Sequence, residues 1–487
     1  MVEDNLMNEG YRKSIIEEIK SGENIKRMDA SLKACDVYNG KLSQYVEQYI
    51  SDHFGVNAVD EMPIVSSVNL SSSVINQKAT VYRDEPVRNF SNMSLEQVDK
   101  VSSIYSDIQF NSKMMMANRY YELQKQTHVQ IIPKAGELVV RTLKAHQLNV
   151  VPSDLDQEKG EIYILSSYDI DYQKSDGQDQ KIADENDDIA NKERYIVWSP
   201  NYHFVMNGNG VIITDSVENP IAPIIPIVEL AEDKDFEYWT QEENEVTDFT
   251  IQFNGALSSL GQIVNLQGFA QAYLSGPKEM LPQSITVGPT KVLKLENDAL
   301  SGQKVEFGFA TPNSDLAGAQ TYVESLLAMF LSSQGVDPKT ITGKAEANTY
   351  SSGVERLLAM VSDFEASKDV MSLFKRAERQ IFDIIKAWIN ISNGTSLLDS
   401  RFQIGIIPEN ATVDVIFAEP SSSITDTEIL ANIEKKLDLG LMSRVEAIQE
   451  LRDLDSDAAQ EIIDRIDNED MTDAEIQGNI QGQESQT

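Results

Sequence analysis

The chain has 487 residues, 41% of them hydrophobic, and its 41 Lys and Arg against 78 Asp and Glu give a formal net charge of −37. That length predicts more than one structural region, and no apolar run reaches the roughly 18 residues of a membrane span. The charge argues against general affinity for nucleic acid, which is driven by cations on phosphates; solubility, or a surface that DNA passes without sticking, is its expected use.

A single cysteine, Cys35, excludes an intramolecular disulfide framework and a cysteine-based zinc cluster, and predicts a buried small hydrophobe. Met1 to Lys20 mixes acidic, basic and apolar residues without the apolar stretch of a secretory signal, which predicts a protein retained in the cytoplasm where it is made.

The first 130 residues read as helical. Tyr11, Ile15, Ile16 and Ile19 share one helical face, as do Val98, Val101, Tyr105 and Ile108. Met114, Met115 and Met116, followed by Tyr120 and Tyr121, have the spacing of core packing rather than of a cofactor site. From His128 the period becomes that of strands, at Val129 to Ile132, Leu138 to Thr142, Leu148 to Val151, Ile162 to Ser166 and Tyr195 to Trp198. Val205 to Ile212 reads as a hairpin, because Asn207, Gly208, Asn209 and Gly210 supply the positive φ of a tight turn. Its glycines do not open a helix and are too few to cradle phosphate. Ser175 to Asp188 is acidic and predicts a mobile loop.

Helix returns near Gln241, where Val246, Phe249, Phe253, Leu257 and Leu260 recur every three or four residues, and fails near Gly268. A β-rich insertion, Phe269 to about Thr311, contains Ile285 to Val287, Val292-Leu293 and Val305 to Phe307. The next helix runs from a Ser314 cap to about Gln334, stopped by Gly335 and Pro338. A long helix begins near Ser351, with the seam Val370, Leu373, Phe374, Ala377, Ile381, Ile384, Ile385 and Trp388. Strand-like Phe402 to Ile407 and Thr412 to Phe417 follow, then helices from a Thr425 cap through about Ile466 and a Gln-, Gly- and Ser-rich tail predicted to be disordered.

Catalytic motifs are missing. There is no Gly-x-x-x-x-Gly-Lys-Ser/Thr loop, no Gly-x-Ser-x-Gly elbow, and His53, His128, His146 and His203 form no His-Glu-x-x-His pair. Asp453, Asp455 and Asp457 open like a calcium loop, but Ala458 stands where glycine is required and Asp464 where the bidentate Glu belongs. The expectation is a protein with no enzymatic activity, metal or cofactor. Charge distribution says more than any motif: no Lys or Arg lies between Asp235 and Pro277, or between Val305 and Pro338. Those windows hold the two helices that flank the insertion, while the insertion carries Lys278, Lys291, Lys294 and Lys304. Chance or a buried helix pair would explain the gaps; so would helices lining a passage, where a missing cation is a missing phosphate anchor.

Over residues 64 to 466 the order of parts resembles the portal proteins of tailed bacteriophages. Arg194 to Pro200, Phe204 and the glycine hairpin resemble wing strands. Asn219-Pro220 through Ile225-Pro226 to Leu230 resembles the passage into the first stem helix. Thr286 to Pro289 and Val305 to Phe307 resemble clip strands, and Ser351 to Val354 the start of the helix after the tunnel loop.

The resemblance implies an α+β fold with a helical wing and crown, a small β wing region, two stem helices flanking a β-rich clip, and a long helix after the tunnel loop. The implied regions are 1–127 (helical, its first 60 residues unassigned), 128–235 (β wing), 236–268 (first stem), 269–312 (clip), 313–335 (second stem), 336–350 (tunnel loop), 351–423 (long helix and strands), 424–467 (crown) and 468–487 (tail). It implies a homo-oligomeric ring, typically of twelve, at one capsid vertex of the virion, assembled in the host cytoplasm. The ring would pass double-stranded DNA without sequence specificity, touch major capsid and scaffold proteins, and engage no membrane. Lys278, Glu279, Lys291, Lys294, Glu296, Asp298 and Lys304 of the clip would dock the terminase large subunit and the head-tail adaptor. Lys339, Thr340, Ile341, Thr342, Gly343, Lys344 and Glu346 of the tunnel loop would face DNA. Another virion component, an adaptor or scaffold, is the alternative within the same class; a metal-dependent nuclease, which would cleave DNA with magnesium, is the enzymatic one.

Overall fold

The computed structural model describes residues 3–55, 59, 65–168, 193–232, 237–239, 244–268, 271–275, 306–310, 316–336, 338, 353–395, 397–417, 430, 433–437, 442–452, 460 and 463–464. Helices α1 (Glu9–Ile19) and α2 (Gly22–Tyr38) start where Asn8 and Ser21 side chains accept from the first-turn amides of Gly10 and Asn24. Helices α3 (Ser43–Phe54) and α4 (Leu70–Lys78) follow, then strand β1 (Val87–Ser91). Helix α5 (Leu95–Asp107) opens on a reciprocal box in which Ser94 and Gln97 satisfy each other's amides, and α6 (Phe110–Gln124) completes the set.

Among the described residues seven strands come next: β2 (Gln126–Lys134), β3 (Glu137–Leu143), β4 (Leu148–Ser153), β5 (Asp156–Tyr168), β6 (Glu193–Trp198), β7 (His203–Asn207) and β8 (Ile227–Ala231). They form two antiparallel sheets, ordered β3-β2-β8 and β4-β5-β6-β7. The β2–β3 turn is two residues long, and Ala135 and Gly136 both take positive φ, as such a turn requires. Helix α7 (Glu245–Gly268), strands β9 (Gln271–Ser275) and β10 (Glu306–Ala310), helix α8 (Leu316–Ser333), the long helix α9 (Gly353–Ser392) and strand β11 (Thr412–Ile416) complete the order up to Ala418.

The chain divides into two compact units, Met1–Lys344 with Asp363–Ala418, and Ala345–Ser362 with Glu419–Thr487. In the first, the seam expected on α9 is the centre of the core: Phe374, Ala377, Ile381, Ile385 and Trp388 are buried with Tyr105, Phe110, Met114 and Tyr121 and with Val129, Ile131 and Val140 of the sheet. Trp388 is fully enclosed because its Nε1–H finds the Ile131 carbonyl at 2.9 Å. Cys35 is buried, as its apolar reading predicts. In the second unit, α10 (Arg444–Arg452) starts on a box: the Ser443 N–H donates to the Glu446 carboxylate and the Glu446 N–H to Ser443 Oγ.

The structure departs from expectation at several elements: β8 is a strand that the sequence reading did not mark, and of residues 207–210 in the 205–212 hairpin only Gly210 takes positive φ. Val87–Ser91 is a strand inside a region read as helical; it alternates exposed and half-buried residues and pairs antiparallel with β11, so the element that makes it a strand lies over three hundred residues away. Phe402 to Ile407 is not a strand: Ser400–Phe402 forms a turn of 3-10 helix, and Asn390 and Asn393 side chains bind the Ile407 and Gly405 backbone where a ladder would have run. Gln271–Ser275 pairs with β10 as a strand that the sequence did not mark. The acidic segment 175–188, Ser314, Ser351, Thr425 and the tail lie outside the described residues.

Residues 3–20 are anchored into the fold. Leu6, Ile15, Ile16 and Ile19 bury against Ile162, Ile164, Val197 and Phe204 of the four-stranded sheet. Arg12 donates through Nε to the Gly210 carbonyl at 2.7 Å, so the positive-φ glycine of the β7 turn is held against α1.

His146 ties α2 to this sheet, its Nδ1 lying 3.1 Å from Ser31 Oγ. Burial, then the charge of Lys144, lowers its pKa from 6.5 to about 4, with Asp36 opposing. The folded protein therefore holds the ring neutral, and the unfolded chain takes up the proton first as pH falls below 6.5. The contribution is complete above that value and lost on the way down to about 4. Discounted for partial exposure, it amounts to about 1–2 kcal/mol. Urea midpoints of wild type and His146→Gln, compared at neutral and mildly acid pH, should show the variant losing less stability on acidification; parallel losses would refute it.

Candidate functional site

The pair α7–α8 is the element that the sequence singled out, and it is built from two kinds of face. Asn244 caps α7 by accepting from the Thr247 N–H at 2.9 Å, while its own side-chain N–H holds the Leu123 carbonyl at the end of α6. One apolar face meets α8 in antiparallel order: Val246 clusters with Leu331, and Phe253 with Val323. Between them the rings of Phe249 and Phe330 stack at 3.8 Å, 8° from parallel.

The second face of α7 is polar and equally buried. Thr250, Asn254 and Ser258, four residues apart, are at most 1% exposed. Asn254 Oδ1 accepts from the Val68 N–H at 2.6 Å and from the Ser66 hydroxyl at 2.9 Å, its Nδ2 donates to the Val68 carbonyl at 2.8 Å, and Ser258 Oγ accepts from the Ser66 N–H at 2.8 Å. An extended stretch of chain thereby satisfies its backbone on a helix rather than in a sheet. A third contact is apolar: Ile251 joins Val37, Leu42, Val46 and Ile50.

Helix α8 is the opposite case. Its 18 residues include one charge, Glu324, yet only Val323 and Leu331 are buried. Tyr322 and Met329, two turns apart on one face, are 63% and 70% exposed. Exposed apolar surface of this kind is where interaction sites are commonly found. From the far ends of the two helices the chain continues into β9 and β10, paired from Gln271↔Ala310 to Ser275↔Glu306.

The proposed docking residues Lys278, Glu279, Lys291, Lys294, Glu296, Asp298 and Lys304 lie outside the described residues, as do Lys339, Thr340, Ile341, Thr342, Gly343, Lys344 and Glu346. The four histidines have packing roles. His128 Nε2 is 2.7 Å from the Tyr238 hydroxyl, His203 stacks on Trp198 at 3.5 Å with its pKa lowered by burial, His146 binds Ser31, and His53 lies against Tyr49. Among the described residues no group of three or more His, Cys, Asp or Glu could hold a metal ion, and no helix is long and apolar enough to cross a membrane.

Sequence reasoning missed the polar face of α7. Its signal was present as Thr250, Asn254 and Ser258 at helical spacing, but polar residues in that pattern ordinarily mark a solvated side. No family model matches the chain, and no curated protein matches it.

Proposed function

We propose that the chain is a portal subunit of a tailed phage, forming a closed ring at one capsid vertex through which DNA is packaged and released. The observation that carries the reading is the α7–α8 pair: two antiparallel helices without a Lys or Arg, one of them apolar and largely uncovered, that bracket a β ribbon. A ring of such subunits would cover the Tyr322 and Met329 faces between neighbours and present to DNA a lining without phosphate anchors. DNA would pass without sequence preference or tight grip. The lysines of 269–312 would meet the terminase large subunit and then the adaptor, since charges at an interface rim mainly set association rate and partner choice. Lys339 and Lys344 would be the cations nearest the lining, each contact screened beyond about 8 Å at physiological salt. Crown, capsid and scaffold contacts, the twelve-fold count and location in the virion come from the resemblance alone.

Native mass spectrometry or negative-stain imaging of the purified chain should show closed rings close to twelve subunits. A monomer at micromolar concentration that neither scaffold nor capsid protein converts to rings would overturn the reading.

A further inference from the structure

We infer that the N-terminal helices α2 and α3 clamp α7 at a fixed inclination and thereby set the number of subunits in the ring. The inference rests on the ring reading above. Residues 1–60 are the part of the chain to which the resemblance assigns no role, yet much of what grips α7 and its approach comes from them. Tyr49 of α3 lies over Gly255, so close that a Cβ at 255 would fall 2.6 Å from Cε1 and 2.8 Å from Cδ1 of the ring. Lys33 Nζ pairs with Asp248 Oδ1 at 2.7 Å. Arg27 stacks its guanidinium 4.1 Å from the centre of the Trp239 ring, just ahead of α7. The same guanidinium donates to the Ala145 carbonyl at 2.7 Å and to Asn149 Oδ1 at 2.9 Å, which ties the approach of α7 to strand β4. Three side chains of α2 and α3 thus hold α7 or the residues just before it, and one of them also reaches the four-stranded sheet.

A head-to-tail ring closes at the count fixed by the rotation between the two surfaces each subunit offers its neighbours. Rings of twelve and thirteen differ by only about 2° of that rotation per subunit. Gly255 is ten residues past Glu245, about 15 Å along the helix at 1.5 Å per residue. A Cβ there must move from 2.6 Å to the ordinary contact range that begins at 3.4 Å. Over that lever arm the displacement turns α7 by about 3°, comparable with the step between neighbouring counts. The close glycine–tyrosine contact is therefore a setting of the angle as well as a packing detail.

The test compares ring-count distributions by native mass spectrometry for wild type, Gly255→Ala and Gly255→Ala with Tyr49→Ala, each checked for folding by thermal melting. Wild type should give one dominant count. Gly255→Ala should move at least half of the rings to other counts, and adding Tyr49→Ala, which removes the contact altogether, should leave several counts rather than restore the single wild-type one. A folded Gly255→Ala with the wild-type distribution overturns the clamp and leaves the ring reading intact. So does a folded double variant with the single wild-type count. If Gly255→Ala does not fold, Tyr49→Ala alone tests the same contact: broadening of the counts supports the clamp, and an unchanged distribution overturns it. A wild-type chain that forms no rings overturns the ring reading and this inference with it.

Discussion

Glu378→Gln is expected to lower the unfolding free energy by about 3–5 kcal/mol, the range for leaving one member of a buried ion pair without its partner. Glu378 is fully buried on α9 and Arg88 of β1 is 9% exposed at its side chain. The guanidinium engages both carboxylate oxygens, Nε to Oε2 and Nη2 to Oε1, each at 2.7 Å. Tyr82 adds its hydroxyl to Oε1 at 2.8 Å, and Arg88 Nη2 also reaches Asn111 Oδ1 at 2.7 Å. Glutamine keeps an oxygen for Tyr82 but turns an amide N–H toward a cation that cannot lose its proton. The rings of Tyr105 and Phe110, 5.2 and 5.0 Å from the guanidinium carbon, bring no counter-charge. Urea unfolding measures the loss. Adding Arg88→Met to Glu378→Gln should recover a large part of it, because the stranded cation, rather than the missing attraction, dominates the penalty. A loss below about 1 kcal/mol would place the pair in the class of solvated surface bridges and refute the argument.

That pair also marks where the sequence stops being legible. Its members are 290 positions apart, and nothing beside Arg88 or Glu378 in the sequence marks the two as partners until the fold brings them together. The same limit hid β1, whose partner β11 is as remote. What could be read was local. The seam of α9 repeats at helical spacing over several turns, and those residues are the core. The strands from β2 to β6 carry β-branched and aromatic residues between polar breaks, and they fall where the period changes. At the site, the missing cations and the apolar spacing of α7 were visible. That its polar spacing was buried too was not, because the groups that satisfy Asn254 and Ser258 are mostly backbone atoms of Ser66 and Val68, which leave no mark in composition. The docking and tunnel-loop residues were assigned by resemblance to a family's order of parts, and such an assignment carries no contact geometry.

On the proposed ring, Tyr322→Glu with Met329→Glu is expected to give a folded protein that does not assemble. At 63% and 70% exposure the two side chains contribute little to the subunit's own fold, so its melting should change by no more than about 0.5 kcal/mol per site. In a ring the balance differs. Covering each side chain would be worth about 1.5–3 kcal/mol, and a carboxylate in its place would have to be desolvated against an α7–α8 surface that carries no Lys or Arg to pair with it. Even the lower bound for the two together, about 3 kcal/mol, weakens each contact more than a hundredfold. Because every subunit repeats the same contact, the penalty recurs around the circle and closure should be lost. Tyr322→Phe with Met329→Leu keeps the apolar surface and should assemble as wild type does. Sedimentation velocity on the three proteins at one concentration separates the outcomes. Rings persisting in the double glutamate variant would move the subunit contact off this face of α8, and would leave its uncovered apolar surface to be explained by a different partner.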